Sequence, residues 1–102
     1  MGNDARGWYD RAVRHAVVDV VAHLDDAVDL DALARRAATS TFHFHRIFRA
    51  MAGETPLALS RRLRLERAAH QLSTTDKPVT SIAFDAGYDS HEAFTRAFKA
   101  AY

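Results

Sequence analysis

Two short polar stretches of this chain carry side chains suited to contact with a polyanion. Each begins with a serine, Ser40 or Ser90, and each has an arginine six positions later, Arg46 or Arg96. Serine hydroxyls and the free N–H groups at the start of a helix bind phosphate oxygens. An arginine about two turns into that helix can donate two hydrogen bonds to the edge of a guanine. The combination favours a helix whose exposed first turn meets nucleic acid.

These stretches belong to a longer internal repeat. The segment LDALARRAATSTFHFHRIFRA, from Leu30, matches VTSIAFDAGYDSHEAFTRAFKA, from Val79, when Ser40 is aligned with Ser90. At this spacing of 50 residues the paired positions are Leu33/Ala83, Ala37/Gly87, His43/Ala93, Phe44/Phe94, Arg46/Arg96, Phe48/Phe98 and Arg49/Lys99. The pattern predicts a helix, a tight turn and a second helix with an aromatic inner face, which is a helix-turn-helix. In that motif the second helix lies in the major groove of DNA.

The repeat predicts a specific set of DNA contacts. The residues expected to reach base edges from the two recognition helices are Phe42, His43, His45, Arg46, His91, Glu92, Ala93 and Arg96. The residues expected to contact phosphate are Ser40, Arg49, Arg61, Ser90, Thr95 and Lys99. Because the second unit carries less positive charge, we expect it to bind DNA more weakly than the first.

Several of these residues admit a second interpretation from the sequence. An exposed Phe42 would touch a thymine methyl group, whereas a buried one would only pack against the protein. Glu92 can accept a hydrogen bond from cytosine N4, or it can close a capping box that starts at Asp89. His43 and His45 are not expected to hold a metal, because residues two apart on a helix point away from each other.

The distribution of charge adds a second indication of an anionic partner. Residues 39–72 carry six Arg against two Glu, a net charge of +4. Residues 1–38 carry five Arg against seven Asp, a net charge of −2, and residues 73–102 carry three basic and four acidic residues, a net charge of −1. Arginine clusters suit phosphate and base recognition, although a solvated helix face produces the same pattern.

Composition excludes several other classes of protein. The chain has 102 residues, of which 48% are hydrophobic and 26% charged, as in a folded domain. It has no cysteine, which excludes disulfides, thiolate zinc sites and cysteine nucleophiles. No signal peptide and no apolar run of about 18 residues is present, so we expect a cytoplasmic protein associated with the nucleoid and not with a membrane.

Helical periodicity runs through almost the whole sequence and predicts an all-α fold. The first helix is expected from about residue 7 to residue 24, and Thr55-Pro56 marks the start of a long fourth helix. Two helix-turn-helix subdomains, residues 7–53 and 78–102, would be joined by a linker helix at residues 55–72. At about 1.5 Å per residue, this linker can hold two recognition helices about one DNA turn apart. The predicted core residues are Trp8, Leu24, Ala34, Ala37, Ile47, Phe48, Leu59, Leu63 and Leu72.

The chain resembles the DNA-binding domain of the AraC/XylS family of bacterial transcription regulators. The resemblance covers about two thirds of the chain, from about Leu30 to Lys99, and rests on LARRAATSTFHFHRIFRAMAGETPLALSRRLRLERAAHQL and VTSIAFDAGYDSHEAFTRAFK. It implies a homeodomain-like fold with two helix-turn-helix units and a linker helix. It also implies activation or repression of transcription through contact with RNA polymerase.

The family pattern normally continues after the FK pair at Phe98 with a segment that forms a final short helix. This chain stops at Tyr102, so we expect the second subdomain to be truncated at its C-terminus. The position of the domain near Met1 is similar to a subgroup in which a GyrI-like effector-binding domain follows. An effector-binding domain is therefore expected in the parent protein.

Two rival functions differ from DNA binding in class. A helical protein-interaction module would use the same aromatic faces to hold a partner, but its binding would lack the steep salt dependence that about four to seven phosphate contacts produce. A small enzyme is disfavoured, because no catalytic nucleophile, paired carboxylate site or phosphate-binding loop is present. No cofactor and no metal are expected.

Overall fold

The computed structural model describes the backbone of residues 2–102 and the side chains of residues 5–102, and within this range it consists of six α-helices without a strand. The helices are α1 (Gly2–Ala22), α2 (Leu30–Arg36), α3 (Thr41–Ala52), α4 (Pro56–Thr74), α5 (Val79–Asp85) and α6 (His91–Ala101). The predicted all-α class is confirmed. The chain divides into two compact units, one ending at Ser60 and the other running from Arg61 to Tyr102, so that the boundary falls within α4.

The first unit packs α1 and α2 against α3. Local signals fix where these helices begin and end. Asp29 caps α2, its carboxylate accepting a hydrogen bond from the Ala32 N–H at 3.0 Å. Gly53 ends α3 in the left-handed conformation, with φ at +80°. The buried core residues of this unit are Val13, Ala16, Val20, Leu33, Ala34, Phe44, Phe48 and Leu59.

The second unit packs α5 against α6 and against the second half of α4. Its buried core consists of Leu65, Ala68, Ile82, Ala83, Ala86 and Phe94. Three half-buried residues, Tyr88, Ala97 and Phe98, cover this cluster. Tyr88 meets Phe94 edge to face at 5.8 Å, and Phe98 lies 5.7 Å from Phe94, so aromatic contacts build much of this small core.

Two details of the predicted helices are wrong. Helix α1 begins at Gly2 and ends at Ala22, where the sequence predicted residues 7–24, because its first turn has no apolar periodicity to reveal it. Of the core residues predicted on α4, Leu59 is buried, but the prediction is wrong towards the end of the helix. Leu72 is 37% exposed, whereas Leu65 and Ala68 are buried. Leu72 lies a further turn along α4, beyond the small core formed with α5 and α6.

The two turns of the repeat differ by one residue, which corrects the alignment across the turn. In the first unit Ala38 has positive φ (+54°) and the Thr39 N–H donates to the Ala34 carbonyl. In the second unit Gly87 has positive φ (+94°) and the Tyr88 N–H donates to the Ala83 carbonyl. The turn residues therefore correspond at a spacing of 49, as Ala34/Ala83 and Ala38/Gly87, and not as the sequence alignment paired them. Asp89 is the extra residue before the second recognition helix, where the spacing of 50 resumes.

Candidate nucleic-acid interface

The first recognition helix, α3, opens with a capped and exposed turn. Ser40 has an extended backbone, and its Oγ accepts a hydrogen bond from the His43 N–H at 3.1 Å. The hydroxyl proton is not used in this bond, so Ser40 can still donate to a phosphate oxygen. Ser40 is exposed, and the first turn of α3 contains no acidic residue. An anion therefore meets a free hydroxyl donor and the positive end of the helix dipole.

Contacts with α2 and the core fix the orientation of α3. The Thr41 hydroxyl donates to the Asp31 carboxylate at 2.6 Å, which joins the start of α3 to the start of α2. Phe44 and Phe48 are 1% and 0% exposed, with ring centroids 5.9 Å apart. These anchors lie four residues apart on the inner face, so the opposite face of α3 is held outward.

Phe42 and Arg46 lie on the outer face of α3. Phe42 is 73% exposed, so packing in the core does not explain it, and its contact with a thymine methyl group remains a prediction. The guanidinium carbon of Arg46 lies 5.8 Å from the centre of the Phe42 ring, which is cation–π distance. Neither Arg46 nor Arg49 forms an ion pair with any of the described residues, and both are exposed. His45 is half-buried beside them.

His43 contacts a residue that the sequence analysis did not select. Its Nε2 lies 3.5 Å from the hydroxyl oxygen of Tyr9 in α1, and the two rings meet edge to face at 5.9 Å. The two residues are 34 positions apart, and no local pattern in the sequence reveals such a contact. Asp31, which binds Thr41, escaped notice for the same reason. Two residues outside α3 therefore support its first turn.

The second recognition helix, α6, repeats the serine cap. Ser90 Oγ accepts a hydrogen bond from the Ala93 N–H at 3.1 Å, the same bond that Ser40 makes in the first unit. The capping box proposed between Asp89 and Glu92 is wrong, because the N-cap is Ser90 and Glu92 lies only two residues after it. Glu92 is exposed in the first turn and makes no hydrogen bond or ion pair with the described residues. Ala93 is half-buried.

The other predicted contacts of α6 differ in how freely they can meet DNA. Arg96, Lys99 and His91 are exposed, and neither cation has an ion-pair partner among residues 5–102. Thr95 is half-buried, and its hydroxyl donates to the His91 carbonyl at 2.8 Å. A phosphate oxygen only accepts hydrogen bonds, so Thr95 would have to give up that bond to contact one.

The arginines of α4 differ in the contacts that they make. Arg62 pairs with Glu66 at 3.0 Å on the exposed helix surface. Arg67 donates to the Asp85 carbonyl at 2.9 Å and so ties α4 to the end of α5. Arg61 is exposed and forms no ion pair with the part of the chain that the structure describes. Of the arginines on this helix, Arg61 is the one selected from the sequence as a phosphate contact.

Two other kinds of feature are absent from the described residues. None of the helices there is long and apolar enough to cross a membrane. No three histidine or carboxylate side chains in that part of the chain come together as metal ligands.

Comparison with known proteins agrees with the presence of helix-turn-helix motifs in this chain. A protein-family model described as a helix-turn-helix domain matches residues 33–102, which include α3, α4, α5 and α6. The C-terminal domain of AraT, a response regulator from Geobacillus stearothermophilus, has a similar structure, with a TM-score of 0.74 and 30% sequence identity. The match covers 88% of this chain and 75% of that domain.

Bacterial regulators are among the relatives by sequence. The HTH-type transcriptional regulator YbfP of Bacillus subtilis is 35% identical over 93% of this chain, and the right origin-binding protein of Escherichia coli is 36% identical over 85%. The regulatory protein SoxS of Escherichia coli is 30% identical over 89% of this chain. The chain spans 32% of YbfP, 30% of the right origin-binding protein and 85% of SoxS. The chain therefore belongs to the AraC-type helix-turn-helix family, whose members are DNA-binding regulators of bacterial transcription.

Proposed function

We propose that this chain binds double-stranded DNA sequence-specifically, with α3 and α6 as recognition helices in successive major grooves of one duplex. One observation carries the proposal: both helices begin with an exposed serine cap and anchor buried phenylalanines on their inner face. Ser40 and Ser90 make the same backbone hydrogen bond, and Phe44 and Phe94 are 1% and 3% exposed. This is the architecture that presents a helix start to base edges.

Within this proposal the residues divide into two groups. Phe42, His43, His45, Arg46, His91, Glu92, Ala93 and Arg96 read base edges, with Arg46 and Arg96 as the main donors to guanine. Ser40, Arg49, Arg61, Ser90, Thr95 and Lys99 contact phosphate and set the register. Residues 7–53 and residues 78–102 each form one DNA-reading subdomain, and the linker helix at residues 55–72 joins them. The cations of the two groups carry most of the affinity.

The regulatory context is also part of the proposal. DNA binding near a promoter would bring the protein to an operator and into contact with RNA polymerase, in the cytoplasm. The chain covers about a third of two of its relatives, so an effector-binding domain in the parent protein fits the same interpretation. The chain itself has no catalytic role in this scheme.

Selection from a random duplex pool, followed by titration of the selected duplex at several salt concentrations, tests the proposal. We expect one preferred sequence and a plot of log K against log salt with a slope of about −4 to −6, from about four to seven phosphate contacts. Arg46→Ala should weaken binding, whereas Arg14→Ala should not. Arg14 loses the same charge but lies on α1, paired with Asp10.

Binding that is indifferent to duplex sequence and changes little with salt would contradict the proposal. It would favour the protein-interaction module as the function of this fold. Equal effects of Arg46→Ala and Arg14→Ala would also count against it, because they would reflect net charge and not a contact made by α3.

A further inference from the structure

We infer that Tyr9 is a positioning residue for DNA recognition: it fixes His43 so that the ring nitrogen Nδ1 donates a hydrogen bond to a base. The inference rests on the proposed function, since it assigns a chemical preference to one predicted base contact. Tyr9 lies in α1, outside the helix-turn-helix itself. It would act through His43 and need not touch DNA.

The contact has two components. The Tyr9 hydroxyl oxygen lies 3.5 Å from His43 Nε2, and the rings stand at 71° to each other with centroids 5.9 Å apart. Trp8 meets the Tyr9 ring edge to face at 5.1 Å. Trp8 and Tyr9 are half-buried, while His43 is exposed. The Tyr9 ring, which packs on Trp8, therefore limits the orientations that the exposed His43 imidazole can take.

We assign the Tyr9 hydroxyl as the donor and His43 Nε2 as the acceptor of this 3.5 Å contact, which places the ring proton on Nδ1. A phenol donates its proton readily, and Nε2 of a neutral imidazole accepts it only when the ring proton is on Nδ1. Nδ1 makes no hydrogen bond with any of the described residues. It is therefore available as a donor, and it should choose a base that presents an acceptor.

A donor at His43 Nδ1 predicts a base preference, because the bases differ in the acceptors that they present in the major groove. Guanine N7 and O6, adenine N7 and thymine O4 are acceptors there, whereas cytosine presents its N4 amino group. His43 should therefore disfavour cytosine at the position that it faces. Without the Tyr9 hydroxyl, either ring nitrogen can carry the proton, and the imidazole can adapt to a donor or an acceptor.

Tyr9→Phe tests the inference, because it keeps the ring and removes only the hydroxyl. Nitrogen-15 NMR of the free protein at alkaline pH should show the Nδ1–H tautomer of His43 in the wild type and more of the other tautomer in Tyr9→Phe. Tyr88→Phe is the matched control. Tyr88 also packs edge to face on an aromatic residue, Phe94, but in the second unit, so its variant should leave the tautomer unchanged.

Dissociation constants on the duplex selected by the wild type, and on its single base-pair variants, supply the functional test. His43→Ala should relax the preference at one base pair, and Tyr9→Phe should relax the same preference about three- to tenfold, the worth of a single hydrogen bond. The double variant should match His43→Ala, because Tyr9 acts through His43. The salt dependence should stay that of the wild type, since no phosphate contact is lost.

Three results overturn the inference while leaving the proposed function standing. They are an unchanged tautomer in Tyr9→Phe, an unchanged base preference in that variant, and effects of Tyr9→Phe and His43→Ala that add. Selection of no sequence by the wild type would overturn both the inference and the proposed function.

Discussion

The two recognition helices share a scaffold but differ in what surrounds their first turns. Helix α3 carries Arg46 and Arg49 with no acidic residue, a charge of +2, whereas α6 carries Arg96 and Lys99 with Glu92, a charge of +1. The start of α3 is tied to α2 by the bond from Thr41 to Asp31 and touches α1 through His43. Among the described residues, no polar side chain of another helix makes a hydrogen bond or an ion pair with the first turn of α6.

This difference separates what the motif needs from what each copy adds. Both copies need the serine cap, the positive-φ turn residue and the inward phenylalanine. The charge of the recognition helix and the contacts of its first turn with other helices vary between the copies. These features can therefore set how strongly each copy binds DNA. We interpret the first unit as the one that binds DNA more strongly and the second as the weaker one.

The largest difference in stability between the two units is expected at the second phenylalanine of each recognition helix. Phe48 is fully buried at 0% exposure, whereas its counterpart Phe98 is only half-buried and stacks on the exposed Tyr102 at 4.8 Å. Phe48→Ala should lower the free energy of unfolding of the first unit by about 3–5 kcal/mol, and Phe98→Ala should cost the second unit roughly half as much. Hydrogen exchange of the amides in α3 and α6 measures each unit separately. Equal losses would show that the two cores are equivalent.

The arginines give the next largest difference. Arg46→Ala should weaken binding to the selected duplex by about 1–3 kcal/mol, the range for a bidentate contact to guanine. Arg96→Ala should cost less, because α6 has the lower charge and carries Glu92 in its first turn. Titration of both variants at one salt concentration, with Arg14→Ala as the control, provides the measurement. A larger loss in Arg96→Ala would reverse the proposed ranking.

Exchanging glycine and alanine at the two positive-φ turn positions should change the stability of the two units in opposite directions. Gly87→Ala forces a left-handed alanine at φ +94° and should destabilise the second unit by about 1–2 kcal/mol. The added Cβ would lie 3.0 Å from Nη1 of Arg64, a flexible side-chain end that can shift, so backbone strain dominates. Ala38→Gly relieves the same strain at φ +54° and should stabilise the first unit by up to about 1 kcal/mol. Thermal unfolding of both variants checks the signs, and a stabilised Gly87→Ala would refute the equivalence of the two turns.

The smallest effect concerns the carboxylate of Glu92. Removal of its charge in Glu92→Gln should strengthen duplex binding by about 0.5 kcal/mol, the repulsion between two charges about 8 Å apart in water. The gain should vanish at high salt, because the repulsion is screened. A loss of affinity confined to duplexes with cytosine at one position would show that the proposed contact of Glu92 with cytosine N4 outweighs this repulsion.

Much of this fold follows from local signals in the sequence. Asp29 and Ser40 cap the starts of α2 and α3 and Gly53 ends α3, because caps and left-handed turns depend on a few neighbouring residues. The alignment across the turn was predicted wrongly, and on α4 the prediction included the buried Leu59 but chose the exposed Leu72 and missed Leu65 and Ala68. A one-residue insertion at Asp89 leaves the helix pattern intact on both sides, and several faces of α4 carry apolar residues, so periodicity alone could not select the buried one.

The predicted site was only partly accessible to sequence reasoning. Exposure of Phe42, Arg46 and Arg96 follows from helical position relative to the buried phenylalanines. The roles of Tyr9 and Asp31 depend on how α1 and α2 pack against α3, which is a tertiary fact. The bond from Thr95 to the His91 carbonyl also could not be foreseen, since a threonine hydroxyl in a helix can turn either way.

A footprint of one protein molecule on the selected duplex tests the central claim most directly. Guanine methylation protection, combined with a measured stoichiometry, should reveal two protected major-groove patches centred about 10 base pairs apart at one protein per duplex. Arg96→Ala should lose one patch and Arg46→Ala the other. A single patch, or two patches that require two protein molecules, would contradict the account that one chain reads two successive grooves.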